Sequence, residues 1–314
     1  MSKDNFSISV IVTCHNEEKF IEECIRSIID QSEFDKIIEI IVVNDSSEDN
    51  SEIILKKLAD KCQKIKIINT NLRSVSRSRN LAIEHARGQY IAILDGDDYW
   101  TKNKIEIQIK AFSHLNEKYG LIYTNFIDLD EKKIQKKITV NSFNLNLKNQ
   151  LEKYFCIDGP IIPSTILVKS EIFKTVGKFD ENLKYYEDTD VCLRVLEKYY
   201  IYHINDFSCT KRRHPNQITH KLSKLIQFGD FVINKAISRN NKLENFKKIR
   251  LSRNRTKAAI QSITLYNDKS VAFKLILESI KYKFKIIHIL ILIMILFPHN
   301  INNFVKNFIK IFIK

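Results

Sequence analysis

Apolar residues in the first hundred positions alternate between two kinds of spacing. Ile8–Thr13 (ISVIVT) and Tyr90–Leu94 (YIAIL) are short apolar runs of the sort that form buried strands, and Ile38–Asn44 (IEIIVVN) and Ile65–Asn69 read as further strands. Between them, Glu18–Gln31 carries Phe20, Ile21, Cys24, Ile25, Ile28 and Ile29 at helical spacing, and Ser51–Cys62 and Arg77–Ala86 repeat the pattern. Strand followed by helix, three times over, predicts βαβ units and a mostly parallel sheet flanked by helices. Beyond Trp100 the rhythm loosens. A helix is expected over Lys104–Glu117, a strand over Leu121–Asp128 and a polar, irregular stretch over Glu131–Asn149. Further strands are expected at Ser164–Lys169 and Tyr200–Asn205, with a helix at Thr189–Lys198 between them. From about His220 the pattern is helical, Lys-rich and nearly free of acids.

Charge divides the chain at the same place. The formal net charge is +14, yet Phe207–Lys314 alone holds 22 Lys/Arg against 4 Asp/Glu, which leaves the front two-thirds mildly acidic. A nucleic-acid binder would carry its basic groups on the sheet, so that class is disfavoured; the split points to chemistry in front and attachment behind. The apolar run Ile286–Phe297 (IIHILILIMILF) is too short to span a bilayer and is closed by Pro298. Lys281, Lys283 and Lys285 precede it. Phe304, Phe308, Ile311 and Phe312 alternate with Lys306, Lys310 and Lys314 after it, as suits helices lying in an anionic headgroup layer. A buried core helix or a protein-partner surface would leave the same pattern. The six cysteines form no C-x-x-C pair and have no His at ligand spacing, so they read as buried thiols in a reducing cytoplasm; no N-terminal targeting segment is expected.

In an open parallel sheet the ligand lies beyond the carboxyl ends of the strands. The residues standing there are Thr13-Cys14-His15-Asn16-Glu17, Asn44-Asp45-Ser46-Ser47 and Asp95-Gly96-Asp97-Asp98. Neither G-x-G-x-x-G nor a P-loop occurs, so a bound diphosphate would need a carboxylate-held cation in place of a glycine nest. Three acids within Asp95–Asp98 suit Mg²⁺ or Mn²⁺, although Asp is also common in capping turns. Glu187, Asp188 and Asp190 open a helix, where acids complement the dipole and where a carboxylate can serve as a general base. Lys211-Arg212-Arg213-His214 can screen a departing diphosphate or simply begin the basic surface.

Taken in order, these segments resemble the inverting glycosyltransferase family 2 of the GT-A fold, of the kind that builds bacterial cell-surface polysaccharides. ISVIVTCHNEEKFIEECIRSIIDQ is similar to its opening strand and helix, EIIVVNDSSEDNS to its second nucleotide-binding turn, SRNLAIEHARGQYIAILDGDDYW to its Arg-Asn helix and D-x-D motif, and EDTDVCLR to its E-D-x-D motif. Cys14-His15, Asn44 and Ser78 depart from the family's commoner residues. The resemblance implies that Asp45 contacts the base, that Thr13, His15 and Glu17 line the nucleoside pocket, and that Arg79 supports it. It implies a cation on Asp95 and Asp97 with Asp98 and His214 close by, Arg212 near the diphosphate, and Asp188 as general base oriented by Glu187 and Asp190.

The expected organisation is a GT-A domain over 1–220, with a nucleotide-sugar-binding half at 1–100 and an acceptor-binding half at 101–220, followed by a basic membrane-associating region at 221–314. The expected partners are a nucleotide-sugar donor, a UDP-sugar by this reading, a glycan or lipid-linked acceptor, and the inner face of the cell membrane, which the protein would join from the cytoplasm. A metal-dependent nucleotidyltransferase is the nearest alternative. It would grip a triphosphate through a Gly- and Lys/Arg-rich loop after the first strand, which Thr13–Glu17 is not. An inactive scaffold is a further alternative, against which the intact Asp95, Asp97 and Asp188 argue.

Overall fold

The computed structural model describes residues 6–144, 147–157, 161–214 and 222–296. The chain forms two compact units, one of residues 1–150 and 160–217, the other of residues 151–159 and 218–314. The first unit opens with β1 (Ile8–Cys14), α1 (Ile21–Ile29), β2 (Ile37–Asp45), α2 (Ser51–Ala59), β3 (Ile65–Thr70), α3 (Val75–His85) and β4 (Tyr90–Asp95). Then come β5 (Tyr99–Trp100), α4 (Lys104–His114), β6 (Tyr119–Leu129) and β7 (Gln135–Ile138). Helix α5 (Gln150–Ile157) precedes β8 (Leu167–Lys169), α6 (Ser170–Val176), α7 (Glu187–Leu196) and β9 (Tyr200–Arg212).

One sheet orders the strands β3-β2-β1-β4-β8-β6-β9-β5, with β7 beside β6. The pairs β1–β2, β2–β3 and β1–β4 are parallel, as the βαβ rhythm requires. The second half is mixed, because β8 runs antiparallel to both β4 and β6 while β9 is parallel to β6. Registers align the strand ends: Thr13 lies opposite Asp95, Cys14 opposite Asn44 and Asp45 opposite Thr70. Helix α1 buries Ile21, Cys24, Ile25 and Ile28, a stripe at i, i+3, i+4 and i+7. Gly88 lets β4 approach β1, since a Cβ there would lie 2.5 Å from Ser9 N.

Several elements differ from expectation. The stretch 131–149 holds a short strand, β7, whose polar QKKI sequence is mostly exposed and shows no apolar alternation. Residues 163–165 are a 3-10 turn rather than the start of a strand. Strand β9 runs to Arg212, well past Asn205; register shifts opposite Thr124–Phe126 break the period of two that would have revealed it.

The second unit consists of the body of α5 together with α8 (Leu222–Arg239), α9 (Lys247–Tyr266), α10 (Lys269–Tyr282) and α11 (Ile286–Leu296). Its core joins Ala258, Ala259, Ala272, Leu275, Ile276, Ile287, Ile291 and Met294. Within it, the buried His288 Nδ1 accepts from Lys285 N, so Nε2 carries the proton toward the Thr256 and Ser279 hydroxyls at 3.0 and 2.9 Å. Helix α11 has two apolar stripes. Ile287, Ile291 and Met294 face the core, while Ile286, Ile289 and Leu296 are 65%, 46% and 69% exposed. No helix among the described residues is long and apolar enough to cross a membrane. The segment from Pro298 to Lys314, expected to be amphipathic, and His220 lie outside the described residues.

Candidate active site

The loops after β1 and β2 are laced together without glycine. Asn16 N–H donates to Ser47 Oγ at 2.9 Å, Glu48 N–H to Asn16 Oδ1 at 2.8 Å, Glu17 N–H to Ser51 Oγ at 2.8 Å and Glu18 N–H to Asp49 Oδ2 at 2.9 Å. His15 Nδ1 lies 2.6 Å from Asp45 O. Asn16, Ser46, Arg73 and Tyr186 all adopt left-handed φ, between 51° and 64°. For a residue with a Cβ that conformation costs on the order of 1 kcal/mol; Asn16, Ser46 and Tyr186 each adjoin a sequence-predicted residue, and Arg73 N–H donates to Asp45.

Asp45, expected to contact the base, is 6% exposed and serves as the hub of the next loop. Its Oδ1 accepts from Leu72 N, Arg73 N and Ser46 Oγ, and its Oδ2 from Ser74 N and Ser78 Oγ, at 2.7–3.0 Å. Burial pushes this carboxyl up, but those N–H and O–H donors outweigh it and hold it below the usual range. The carboxylate's lone pairs are thereby engaged inside the protein.

The acids of the D-x-D segment have three different surroundings. Asp95 Oδ1 accepts from Arg79 Nη2 at 2.7 Å and Thr13 Oγ1 at 3.2 Å. Asp98 is 2% exposed and accepts from Ser164 Oγ at 2.6 Å and Arg212 N at 3.1 Å. Burial, then the neighbouring Asp97 and Asp95, push its pKa well up. Asp97 meets His214, whose Nε2 is 3.1 Å from Asp97 Oδ2. Hydrogen bonding to Asp97 raises the imidazole pKa. Among the described residues, Glu17, Asp97 and His214 are the acid and imidazole groups whose ligand atoms all lie within 4.8 Å of one another. Glu17 Oε2 is buried with no hydrogen-bond partner. Burial, and next the charge of Asp97, lift the Glu17 carboxyl to about 8. A withdrawn carboxylate oxygen beside a second acid and an imidazole is a donor set that fits a divalent cation.

Arg212, expected near a diphosphate, is held inside. Its Nη1 donates to Asp97 O at 2.6 Å, its Nη2 meets Glu23, and its guanidinium stacks on Tyr99 and Phe20 at 4.5 and 5.1 Å. Sequence reasoning missed Glu23, which lies on the exposed side of α1, and Ser164, which donates to Asp98 and accepts from Asp95 N. Gly96 fits where a Cβ would meet Thr13 O at 2.8 Å.

The acidic cluster opens α7 after the left-handed Tyr186. Glu187 Oε1 accepts from Arg79 Nη1 at 2.8 Å, so one guanidinium, 3% exposed, bridges Asp95 at the end of β4 and Glu187 at the start of α7. Asp188 Oδ1 accepts from Thr189 N at 2.6 Å, and the residue borders a small cavity lined by Ile93, Leu121, Phe173 and Val191. Asp190 is fully buried and ion-paired to Arg194 at 2.8 Å, which in turn holds the carbonyls of Val176, Gly177 and Lys178. Helix α3 ties the approach to α7 more widely: Asn80 exchanges hydrogen bonds with Phe179 N and O, and Ser76 Oγ donates to Leu183 O.

The sequence profile of Glycosyl transferase family 2 matches residues 9–177. An uncharacterized glycosyltransferase of Rickettsia typhi is 30% identical over 226 residues, which is 70% of this chain and 68% of that protein. Among solved structures, S. aureus TarS 1-349 in complex with UDP-GlcNAc matches with a TM-score of 0.63 at 19% identity, over 88% of this chain and 81% of that one. Mannosyltransferase PcManGT from Pyrobaculum calidifontis, in complex with GDP-Man and Mn²⁺, matches with a TM-score of 0.59 at 17% identity, over 92% and 79%. At these identities the structural likeness shows the GT-A-like fold.

Proposed function

The chain belongs to glycosyltransferase family 2, and from that premise we propose that it moves a sugar from a nucleotide-diphosphate donor to a hydroxyl of a glycan or lipid-linked acceptor, with inversion. A UDP-sugar is the donor we favour. UDP-GlcNAc and GDP-Man in the two structural neighbours support a nucleotide sugar in general. Surface-polysaccharide synthesis is the setting that suits a basic second unit. The nucleotidyltransferase and nucleic-acid readings have no observation in their favour.

The observation that carries the proposal is the Arg79 bridge, because it keeps the D-x-D rim and the first turn of α7 within the reach of one guanidinium. In this reading Asp188 accepts the proton of the acceptor hydroxyl. The freed oxygen attacks the anomeric carbon as the bond to the diphosphate oxygen breaks on the opposite face. A single displacement inverts the centre and needs no covalent enzyme intermediate. Glu187, fixed by Arg79, and Asp190, fixed by Arg194, hold the turn that carries Asp188. Thr13, His15, Glu17 and Asp45 belong to the loops that would take the nucleoside, and Arg212 braces the main chain of Asp97. Asp97 and His214 are the groups to which we assign Mg²⁺ or Mn²⁺, with Asp95 and Asp98 close by but held by protein donors; bound there, the ion would neutralise charge on the leaving diphosphate.

The second unit is the part we assign to the anionic inner face of the membrane. The exposed stripe Ile286, Ile289 and Leu296, with Lys281, Lys283 and Lys285 before or at its start, supports a helix lying on the headgroups. The test of the chemistry is Asp188→Asn. Transfer should fall by about 10²–10⁴ while donor affinity changes by less than about threefold, and EDTA should silence the wild type. Unchanged turnover in Asp188→Asn would rule out the proposed base.

A further inference from the structure

We propose that Glu17 is a direct ligand of the divalent cation, in a set with Asp97 and His214, and that Asp95 and Asp98 are not ligands. The inference rests on the cation-assisted reading above and assigns the site's donor atoms. First, the ligand atoms of Glu17, Asp97 and His214 lie within 4.8 Å of one another. A cation about 2.1–2.3 Å from each donor spans at most about 4.5 Å between donors, so small side-chain rotations complete the set. Second, Glu17 Oε2 is buried with no partner, an uncompensated cost that a cation would remove.

Third, the carboxylate is presented from a fixed turn. Glu17 N–H is held by Ser51 Oγ, Glu17 O accepts from Phe20 N and Ile21 N at 2.9 and 2.8 Å, and Asn16 before it sits at φ 57°. His214 is steadied against Phe20 at 5.3 Å between ring centres. Asp97 is steadied through its carbonyl by Arg212. Meanwhile Asp95 Oδ1 is engaged by Arg79 and Thr13, and both oxygens of Asp98 accept protein donors in the interior.

The donor set has a chemical consequence. Two carboxylates and one imidazole nitrogen favour Mn²⁺ or Co²⁺ over Mg²⁺, which prefers an all-oxygen octahedron and dehydrates reluctantly. The position also separates this role from a contact with the nucleoside. A nucleoside-binding Glu17 would matter to UDP alone, whereas a ligand matters to the metal alone.

The experiment titrates Mn²⁺ into the full chain and follows free Mn²⁺ by electron paramagnetic resonance, without nucleotide and with UDP, in wild type, Glu17→Gln and Glu17→Ala. Both variants should lose at least about tenfold in Mn²⁺ affinity, since even partners behind a ligand cost that much. Their affinity for UDP in EDTA should stay within about threefold, and wild type should bind Mn²⁺ at least tenfold more tightly than Mg²⁺. Melting curves report whether each variant folds; should neither fold, the proposal rests on the wild-type Mn²⁺-over-Mg²⁺ ratio, and a ratio near one overturns it. Undiminished Mn²⁺ affinity in a folded variant, or a loss confined to UDP, overturns the role of Glu17 and leaves the glycosyltransferase reading intact. A wild type that binds no Mn²⁺ with or without UDP overturns the cation reading itself.

Discussion

Removing the Arg79 guanidinium should expose how tightly the two acidic motifs are coupled. Arg79 is 3% exposed and donates to Asp95 at 2.7 Å and Glu187 at 2.8 Å. Burial alone would lower its pKa, but the two carboxylates outweigh it and push it up. Each charge-assisted hydrogen bond contributes about 1.5–3 kcal/mol, and deleting one partner of a buried ion pair costs about 3–5 kcal/mol because the remaining charge is stranded. Arg79→Ala should therefore destabilise the protein by about 3–5 kcal/mol. At about 2–4 °C per kcal/mol for a unit of this size, the melting point drops by roughly 6–20 °C. Arg79→Lys should cost less, since one ammonium can serve one carboxylate but not both.

The sign of the second mutation is the sharper check. In wild type, Glu187→Gln gives up a charge-assisted bond and should destabilise by about 1.5–3 kcal/mol. In the Arg79→Ala background the same change removes a stranded charge and should be neutral or stabilising. Urea denaturation of the four proteins gives the coupling directly, and it should be at least about 1.5 kcal/mol. Additivity within about 0.5 kcal/mol would mean that Arg79 does not join the motifs, and the argument that places one beside the other would fail.

Gly96→Ala should push Asp97 out of place, because the new Cβ would lie 2.8 Å from Thr13 O. A loss of about 1–3 kcal/mol in stability is expected, together with weaker Mn²⁺ binding, read by denaturation and metal titration. Glu39 is buried on Ser9, Lys66 and the Arg87 N–H, whose hydrogen bonds outweigh burial and lower its pKa from 4.5 to about 2. A depressed folded-state pKa contributes stability above about pH 4.5 that is lost as pH falls toward 2, so Glu39→Gln should flatten the acid limb of the stability curve. Replacing Ile286, Ile289 and Leu296 together by Ser should abolish co-sedimentation of the full chain with vesicles containing anionic lipid, with little change in melting point. Unaltered sedimentation would contradict the assigned docking face.

The parallel front of the sheet was legible because β1 and β4, buried along most of their length, read as apolar runs, and because the α1 stripe Ile21, Cys24, Ile25 and Ile28 keeps strict helical spacing. The end of β9 was not, since bulges opposite Thr124–Phe126 erase the alternation. Strand β7 has no apolar face to announce it, and α6 is only seven residues long. At the site, the sequence located the rim but could not distinguish its acids. Asp95, Asp97 and Asp98 look alike in a string, yet one is bound to Arg79, one faces His214 and one is sealed beneath Ser164. Nor could spacing pair Glu17 with Asp97, eighty residues away. That proximity follows from β1 and β4 lying side by side in register.

The most direct test of the central claim needs no acceptor. Melting curves of the full chain would be recorded with UDP- and GDP-sugars, each with Mn²⁺, with Mg²⁺ and with EDTA. A ligand that binds only the folded state at 100 times its Kd stabilises by about 2.7 kcal/mol. At least one nucleotide sugar with Mn²⁺ should therefore raise the melting point by several degrees, and EDTA should remove most of that rise. A melting point unmoved by every nucleotide sugar in the presence of either cation would contradict the account.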